Sequence, residues 1–122
     1  MNVSVKLNYQ AIGNVMEKAR LSLLETADAV KSDLMQSQTM PFDTGALQNR
    51  STFVDDSELK RDKARIVSDT PYARRLYFHP EYNYQKTHNK NAGGQWFQPY
   101  IDGNKRAFAQ NAFNRIMRGK MN

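Results

Sequence analysis

Residues 48–68, QNRSTFVDDSELKRDKARIVS, decide the fold of this chain. From Gln48 to Val54 the chain reads as extended, because Thr52, Phe53 and Val54 are residues that fill a pleated, half-buried surface. Ala64 to Ser68, centred on Ile66-Val67, reads as the partner strand. Asp55 to Asp62 is the charged connection between them. Two such runs joined by a polar tip predict a β-hairpin. The flanks on both sides read as helices, so the predicted class is α+β: a long N-terminal helix, a small antiparallel sheet built on the hairpin, and a C-terminal helix.

Upstream, Asp43-Thr44-Gly45 reads as a tight structural turn. The Asp43 carboxylate can accept from the backbone two residues on, and Gly45 tolerates a positive φ. Before it, Ile12, Met16, Ala19, Leu23, Ala27, Val30 and Leu34 recur at steps of three and four, one apolar stripe on a helical period. The predicted helix covers about 9–38, with Asn8 as N-cap. Gly13 weakens its first turns by about 1 kcal/mol relative to alanine. Met40-Pro41 ends it, because proline disfavours the α region for the residue before it. Val3, Val5 and Leu7 alternate with polar residues, as in a short strand.

Downstream, Tyr72 to Phe78 fits two periods. Tyr72 and Leu76 share a helix face, while Tyr72, Arg74, Leu76 and Phe78 alternate as on a strand. The reading adopted is an extended or short helical edge segment. His79 to Gly94 then forms a long polar loop, of a length that is usually functional or disordered, and Asn91-Ala92-Gly93-Gly94 reads as its flexible end. Trp96-Phe97 anchors the chain again, with the sheet and loop region spanning about 43–98. The last helix, about 100–118, starts between Pro99 and Gly103, with Asp102 as a rival cap. Its apolar lines are Ala109-Phe113-Met117 and Phe108-Ala112-Ile116, and Gly119 is the expected stop.

A length of 122 residues fits a single domain, 1–122. Apolar residues make up 39% and mean hydropathy is −0.79, low for a self-contained globule, so a neighbouring subunit is expected to cover part of the apolar surface. With no cysteine there is neither a disulfide nor a thiolate metal site. No apolar run approaches a membrane span, and the N-terminus lacks the apolar core of a signal peptide. The expectation is a protein made soluble in a cytoplasm, with no membrane partner.

The formal charge of +6 is concentrated at the C-terminus: residues 103–122 hold Lys105, Arg106, Arg115, Arg118 and Lys120 and no acid. Such a basic patch attracts phosphates in a salt-dependent way, or serves as a solvated face complementing the helix dipole.

No constellation predicts chemistry. His79, Glu81 and His88 are spaced H-x-E-x6-H, which is not the four-apart pair of a helical zinc site. Asp55, Asp56, Glu58 and Asp62 are interleaved with Lys60, Arg61 and Lys63 and lack the glycine of a calcium loop. Gly93-Gly94 has no following lysine, and Ser51 forms no nucleophile pattern. The expectation is no catalytic residue, no cofactor, no metal and no small-molecule substrate. Aromatics interleaved with cations remain: Tyr72, Arg74, Arg75, Tyr77, Tyr82 and Tyr84, followed by Lys86, Lys90 and Trp96. They suit a protein interface better than a stacking platform for single-stranded bases, because the acids in the same segment leave little net field. Leu76, Trp96 and Phe97 are read as the subunit's own core.

The ordered set Pro41-x-Asp43-Thr44-Gly45-x-Leu47 with Ser51, Thr70-Pro71-Tyr72-Ala73, Leu76-Tyr77-x-His79-Pro80, Asn91-Ala92 and Trp96-Phe97-x-Pro99 resembles the small head–tail joining proteins of long-tailed phages, the minor capsid, neck or tail completion type. The resemblance covers about sixty residues in the middle; the outer helices match only in kind. Gln98 stands where relatives are expected to carry an acid. The resemblance implies an α+β virion component without enzymatic activity, made in the bacterial host cytoplasm. It would assemble as a homo-oligomeric ring between head connector and tail proteins, with the basic helix facing either packaged DNA or an acidic neighbour. The rival reading is a small basic nucleic-acid-binding protein, and a metal-dependent nuclease at His79, Glu81 and His88 ranks below both.

Overall fold

The computed structural model describes residues 9–41, 52–84, 86 and 89–121. The predicted Asp43-Thr44-Gly45 turn, the N-terminal strand, the Asn8 cap and residues 48–51 of the first strand lie outside the described residues. Helix α1, Tyr9–Gln36, runs for 28 residues. Its stripe is buried at Ala27, Val30 and Leu34. Ser22 and Thr26 are buried as well, and their hydroxyls are satisfied by bonding back to the Lys18 and Ser22 carbonyls at 2.7 and 2.6 Å. The helix stops at Gln36, short of the expected 38, because Gln38 turns left-handed at φ 58°. The break therefore precedes Met40-Pro41, and proline is not its direct cause.

Strands β1, Thr52–Asp55, and β2, Arg65–Ser68, pair antiparallel in the register Thr52↔Ser68 to Asp55↔Arg65. Thr52 is buried and its hydroxyl lies 2.9 Å from that of Ser68. The tip is built from its charges. Asp55 accepts from the Ser57 N–H at 3.0 Å, and Glu58 pairs with Arg65 at 2.6 Å. A 3₁₀ turn, Leu59–Arg61, closes on the left-handed Asp62. Arg20 of α1 then grips the tip through Asp62 and the Lys60 carbonyl, both at 3.1 Å. The hairpin is thus laid against α1, and the class is α+β.

Residues Pro71–Tyr77 form helix α2 rather than an extended edge. Thr70 caps it by accepting from the Ala73 N–H at 2.9 Å, and Pro71 occupies the first turn, where a missing N–H costs nothing. The signal was present in Thr70-Pro71. The alternation through Phe78 is incidental, because Leu76 and Ala73 are buried while Tyr72, Arg74 and Phe78 are exposed.

The expected flexible end of the long loop is instead docked on the exit of α1. Asn91 and Gly93 donate backbone N–H groups to the Gln38 and Thr39 carbonyls, both at 3.0 Å. The Asn91 and Asn89 side chains donate to the Ser37 and Met40 carbonyls at 3.0 and 2.8 Å. Backbone carbonyls of the segment that follows α1, which no helix or strand pairs, are satisfied in this way. Gly94 is required by space: a Cβ there would stand 2.8 Å from the Leu76 carbonyl oxygen and 2.9 Å from that of Tyr77.

The C-terminal helix is interrupted. Helix α3 is short, Gln98–Ile101, and helix α4 runs Phe108–Met121. Gly103 makes the bend, packed so that a Cβ would meet Pro99 Cα at 2.7 Å. The predicted 100–118 merges these two helices. Gly119 does not stop α4, which continues through it. Helix α4 lies antiparallel along α1, marked by Lys105 at Asp33, Met117 at Ser22 and Lys120 at Glu25. Its buried residue is Ala112.

The core gathers Leu34, Met40, Ala73, Leu76 and Trp96, with Tyr77, Tyr84, Phe97 and Tyr100 packed on it. It joins the end of α1, α2 and the entry to α3, as expected for Leu76, Trp96 and Phe97.

Candidate functional site

Trp96 is 1% exposed, and the aromatic sequence around it builds the most distinctive surface of the described residues. Its indole N–H donates to Ser68 Oγ at 3.3 Å, which fixes the ring against the end of β2. Tyr77, on the last turn of α2, stands edge-on to the indole at 5.0 Å and tilted to Phe97 at 5.7 Å. Such offset and T-shaped pairs stabilise beyond the area they bury. Phe78 follows at 5.1 Å from Tyr77 and points outward.

Together these rings form a groove of about 410 Å³ between α2 and α3, lined by Ser68, Ala73, Arg74, Tyr77, Phe78, Trp96, Phe97 and Ile101. Its rim is apolar and open, with Phe78 63% and Ile101 65% exposed. Tyr72 on the next turn of α2 is also exposed. The polar groups are few. Ser68 is engaged with Thr52 and Trp96, and Arg74 supplies the charge. The Tyr77 phenol is pushed above its ordinary 10.0 by burial, so it stays neutral. Such a groove takes apolar side chains by removing them from water, at about 25 cal/mol per Å² of apolar area buried.

The six residues predicted as an interface divide into two groups. Tyr72, Arg74, Arg75 and Tyr82 are exposed. Tyr77 and Tyr84 work within the fold. Tyr84 holds its hydroxyl 2.6 Å from both the Leu76 and His79 carbonyls and bridges the end of α2. Burial pushes its phenol up as well. Phe78, the last residue of the Tyr72–Phe78 segment read as a candidate contact patch, and Ile101, outside it, also border the groove. The one clue to both is an aliphatic or aromatic residue at the end of a short helix, where no partner turn follows.

His79 Nδ1 lies 2.7 Å from Glu81 Oε1 and its ring stacks on Tyr82 at 4.6 Å. The bond to His79 holds the Glu81 carboxyl below its ordinary value. His88 lies outside the described residues, and no group of three metal-ligating side chains occurs among the described residues. At the hairpin tip Asp55, Glu58 and Asp62 are engaged with Ser57, Arg65 and Arg20.

The C-terminal basic patch also divides. Lys105 pairs with Asp33 at 2.7 Å and Lys120 with Glu25 at 3.2 Å. Arg106, Arg115 and Arg118 are exposed and have no ion pair among the described residues. None of the described helices is long and apolar enough to cross a membrane. The chain matches no known protein family, no curated protein and no solved structure.

Proposed function

We propose that this chain is a structural virion protein that joins phage head and tail, of the minor capsid or tail completion type, and acts by protein–protein assembly into a ring rather than by catalysis. The observation that carries the reading is the open apolar groove over Trp96, with Phe78 and Ile101 exposed beside it. Exposed apolar surface with an arginine, Arg74, at its edge is the composition of a protein contact. The ordered motifs from Pro41 to Pro99 point to the same class. On this reading the partners are the head connector and tail proteins, the protein is made in the host cytoplasm and it ends in the virion.

The test is reconstitution. DNA-filled heads lacking this protein are mixed with purified tails, with and without the chain. Joined, infectious particles that appear only with the chain support the reading. Heads that neither bind the chain nor gain tails overturn it.

A second reading, a small basic nucleic-acid-binding protein, is favoured by the unpaired guanidinium groups of Arg106, Arg115 and Arg118 among the described residues. Binding of short duplex DNA that weakens steeply with salt supports it.

A further inference from the structure

The hairpin stops at two strands, and the outer edge of β2 is bare. Among the described residues, the backbone of Arg65 to Asp69 makes no hydrogen bond except those to β1. An edge with unpaired N–H and C=O groups is a template for another strand. One face of the hairpin holds the buried Thr52. The opposite face is uncovered: Phe53, directly across from Val67, is 38% exposed, and Arg65 and Asp69 are exposed on the same side.

The charges of this edge complement themselves. Arg65, Val67 and Asp69 alternate on the uncovered face as cation, apolar residue and anion. Residues directly opposite in an antiparallel pair share a face, so a two-fold axis between two β2 strands passes through a residue position. Centred on Val67, it sets Arg65 against the partner's Asp69 and Asp69 against the partner's Arg65. Neighbouring registers do not. Asp69 has no ion pair among the described residues. Arg65 engages Glu58 through Nη2, and a guanidinium has further N–H donors to give. Phe53 and Val67 then run on into the partner's Val67 and the partner's Phe53, an apolar row across the joined sheet. The edge of β1 offers no such match, because its one charge is Asp55, with Asp56 after it.

We propose that a second copy of this chain pairs with β2 edge to edge, in the register centred on Val67, giving a two-fold dimer with one continuous antiparallel sheet. A second copy fits better than an unrelated strand because the edge carries both halves of its own charge pattern. Arg65 to Asp69 on each side is a small contact, under about 1,200 Å² in total, so the dimer is weak and depends on concentration. The pairing goes beyond the joining reading and does not rest on it. A two-fold contact closes on itself, so subunits entering a ring of one polarity exchange it for another contact.

Sedimentation equilibrium at low salt tests it, with wild type, Asp69→Lys, Arg65→Glu and an equimolar mixture of the two variants. Wild type is expected to dimerise as concentration rises. Either variant alone sets like charges opposite each other twice and should dimerise at least about tenfold more weakly. The mixture should recover the wild-type affinity as a heterodimer, because the native Arg65 of one variant meets the native Asp69 of the other, and the two substituted side chains meet with opposite charge. Circular dichroism verifies that each variant folds. Asp69 is exposed and lies past the end of β2, so its variant tests the pairing even where Arg65→Glu disturbs the bond to Glu58. Hydrogen exchange locates the contact: amides within Arg65 to Asp69 should slow with concentration in wild type and not in Asp69→Lys.

Wild type that stays monomeric throughout overturns the pairing. So does dimerisation that Asp69→Lys leaves unchanged, or dimerisation without slower exchange in β2. A mixture of two folded variants that associates no more tightly than either alone overturns it as well.

Discussion

Tyr100 donates its hydroxyl proton to Asp33 Oδ2 at 2.5 Å, a bond that spans 67 positions of sequence and ties α3 to the end of α1. Lys105 reaches the same oxygen at 2.7 Å and lies 5.4 Å from the centre of the Tyr100 ring. One carboxylate thereby fixes both the short helix beside the groove and the turn that launches α4.

Burial alone would raise the Asp33 carboxyl. The hydrogen bonds from Lys105 and Tyr100 and the Lys105 charge outweigh it and hold the group below its ordinary 3.8. A depressed carboxylate contributes stability above its unfolded-state value and loses it as pH falls through the folded value. Burial, followed by the bond to Asp33, pushes the Tyr100 phenol far above its ordinary 10.0. That contribution is fully present below pH 10 and is lost as pH rises through the folded value. Urea midpoints should therefore hold between about pH 4 and 10 for this cluster and fall on either side. Asp33→Asn should flatten the acid limb. Tyr100→Phe should cost about 1.5 kcal/mol at neutral pH, since the bond it removes is to a charged group.

Trp96 is the single tryptophan, so its fluorescence reports the core directly. Trp96→Ala should cost about 3–5 kcal/mol, the cavity and transfer penalty of a large buried ring. Trp96→Phe should cost less, because a ring is kept edge-on to Tyr77 and the cavity is smaller, although the bond to Ser68 is lost. Denaturant titration followed by far-ultraviolet circular dichroism ranks the two. Equal stability of Trp96→Ala and wild type would remove the indole from the core.

The glycines should respond with opposite signs. Gly94→Ala forces a Cβ against two backbone carbonyls and Pro80, at 2.8 to 3.1 Å, and should destabilise by about 1–3 kcal/mol. Gly13→Ala meets nothing within 4 Å on α1 and should stabilise by about 0.5–1 kcal/mol. Thermal melts of the two variants measure the contrast.

The clamp on the exit of α1 is predicted to slow hydrogen exchange. The Asn91 and Gly93 amides, bonded to Gln38 and Thr39, should exchange far more slowly than the amide of exposed Glu81. Asn89→Ala, which removes the buried bond to Met40, should speed exchange at both and cost about 1–3 kcal/mol. Unchanged protection would show that the docking does not depend on Asn89.

For the basic face, replacing Arg106, Arg115 and Arg118 together by alanine should lower any affinity for duplex DNA. The salt slope should fall by up to about 2.7, at 0.9 for each phosphate no longer neutralised. Replacing Lys105 and Lys120 instead should act mainly on stability, because Asp33 and Glu25 engage them. A filter-binding series at several salt concentrations separates the two outcomes.

The elements that were legible in the sequence are those whose signal is local and repeated. The stripe from Ala19 to Leu34 sets α1, and Thr52 to Val54 with Ile66-Val67 sets the hairpin, because helix and strand periods are written in neighbouring residues. Thr70-Pro71 also carried the cap of α2, yet a seven-residue segment offers too few turns for its period to outweigh a competing alternation. Only the tertiary structure decided the rest. The left-handed turn at Gln38 and the docking of Asn89 to Gly93 on the exit of α1 are of this kind, because carbonyls and amides from distant parts of the chain meet there, whereas Gly103 splits the C-terminal helix through a local approach to Pro99 that no periodicity of apolar residues marks. The groove is of this kind too: Tyr77, Trp96 and Ile101 are ordinary apolar residues until folding sets them side by side, and no spacing in the sequence encodes which of them stays open to water.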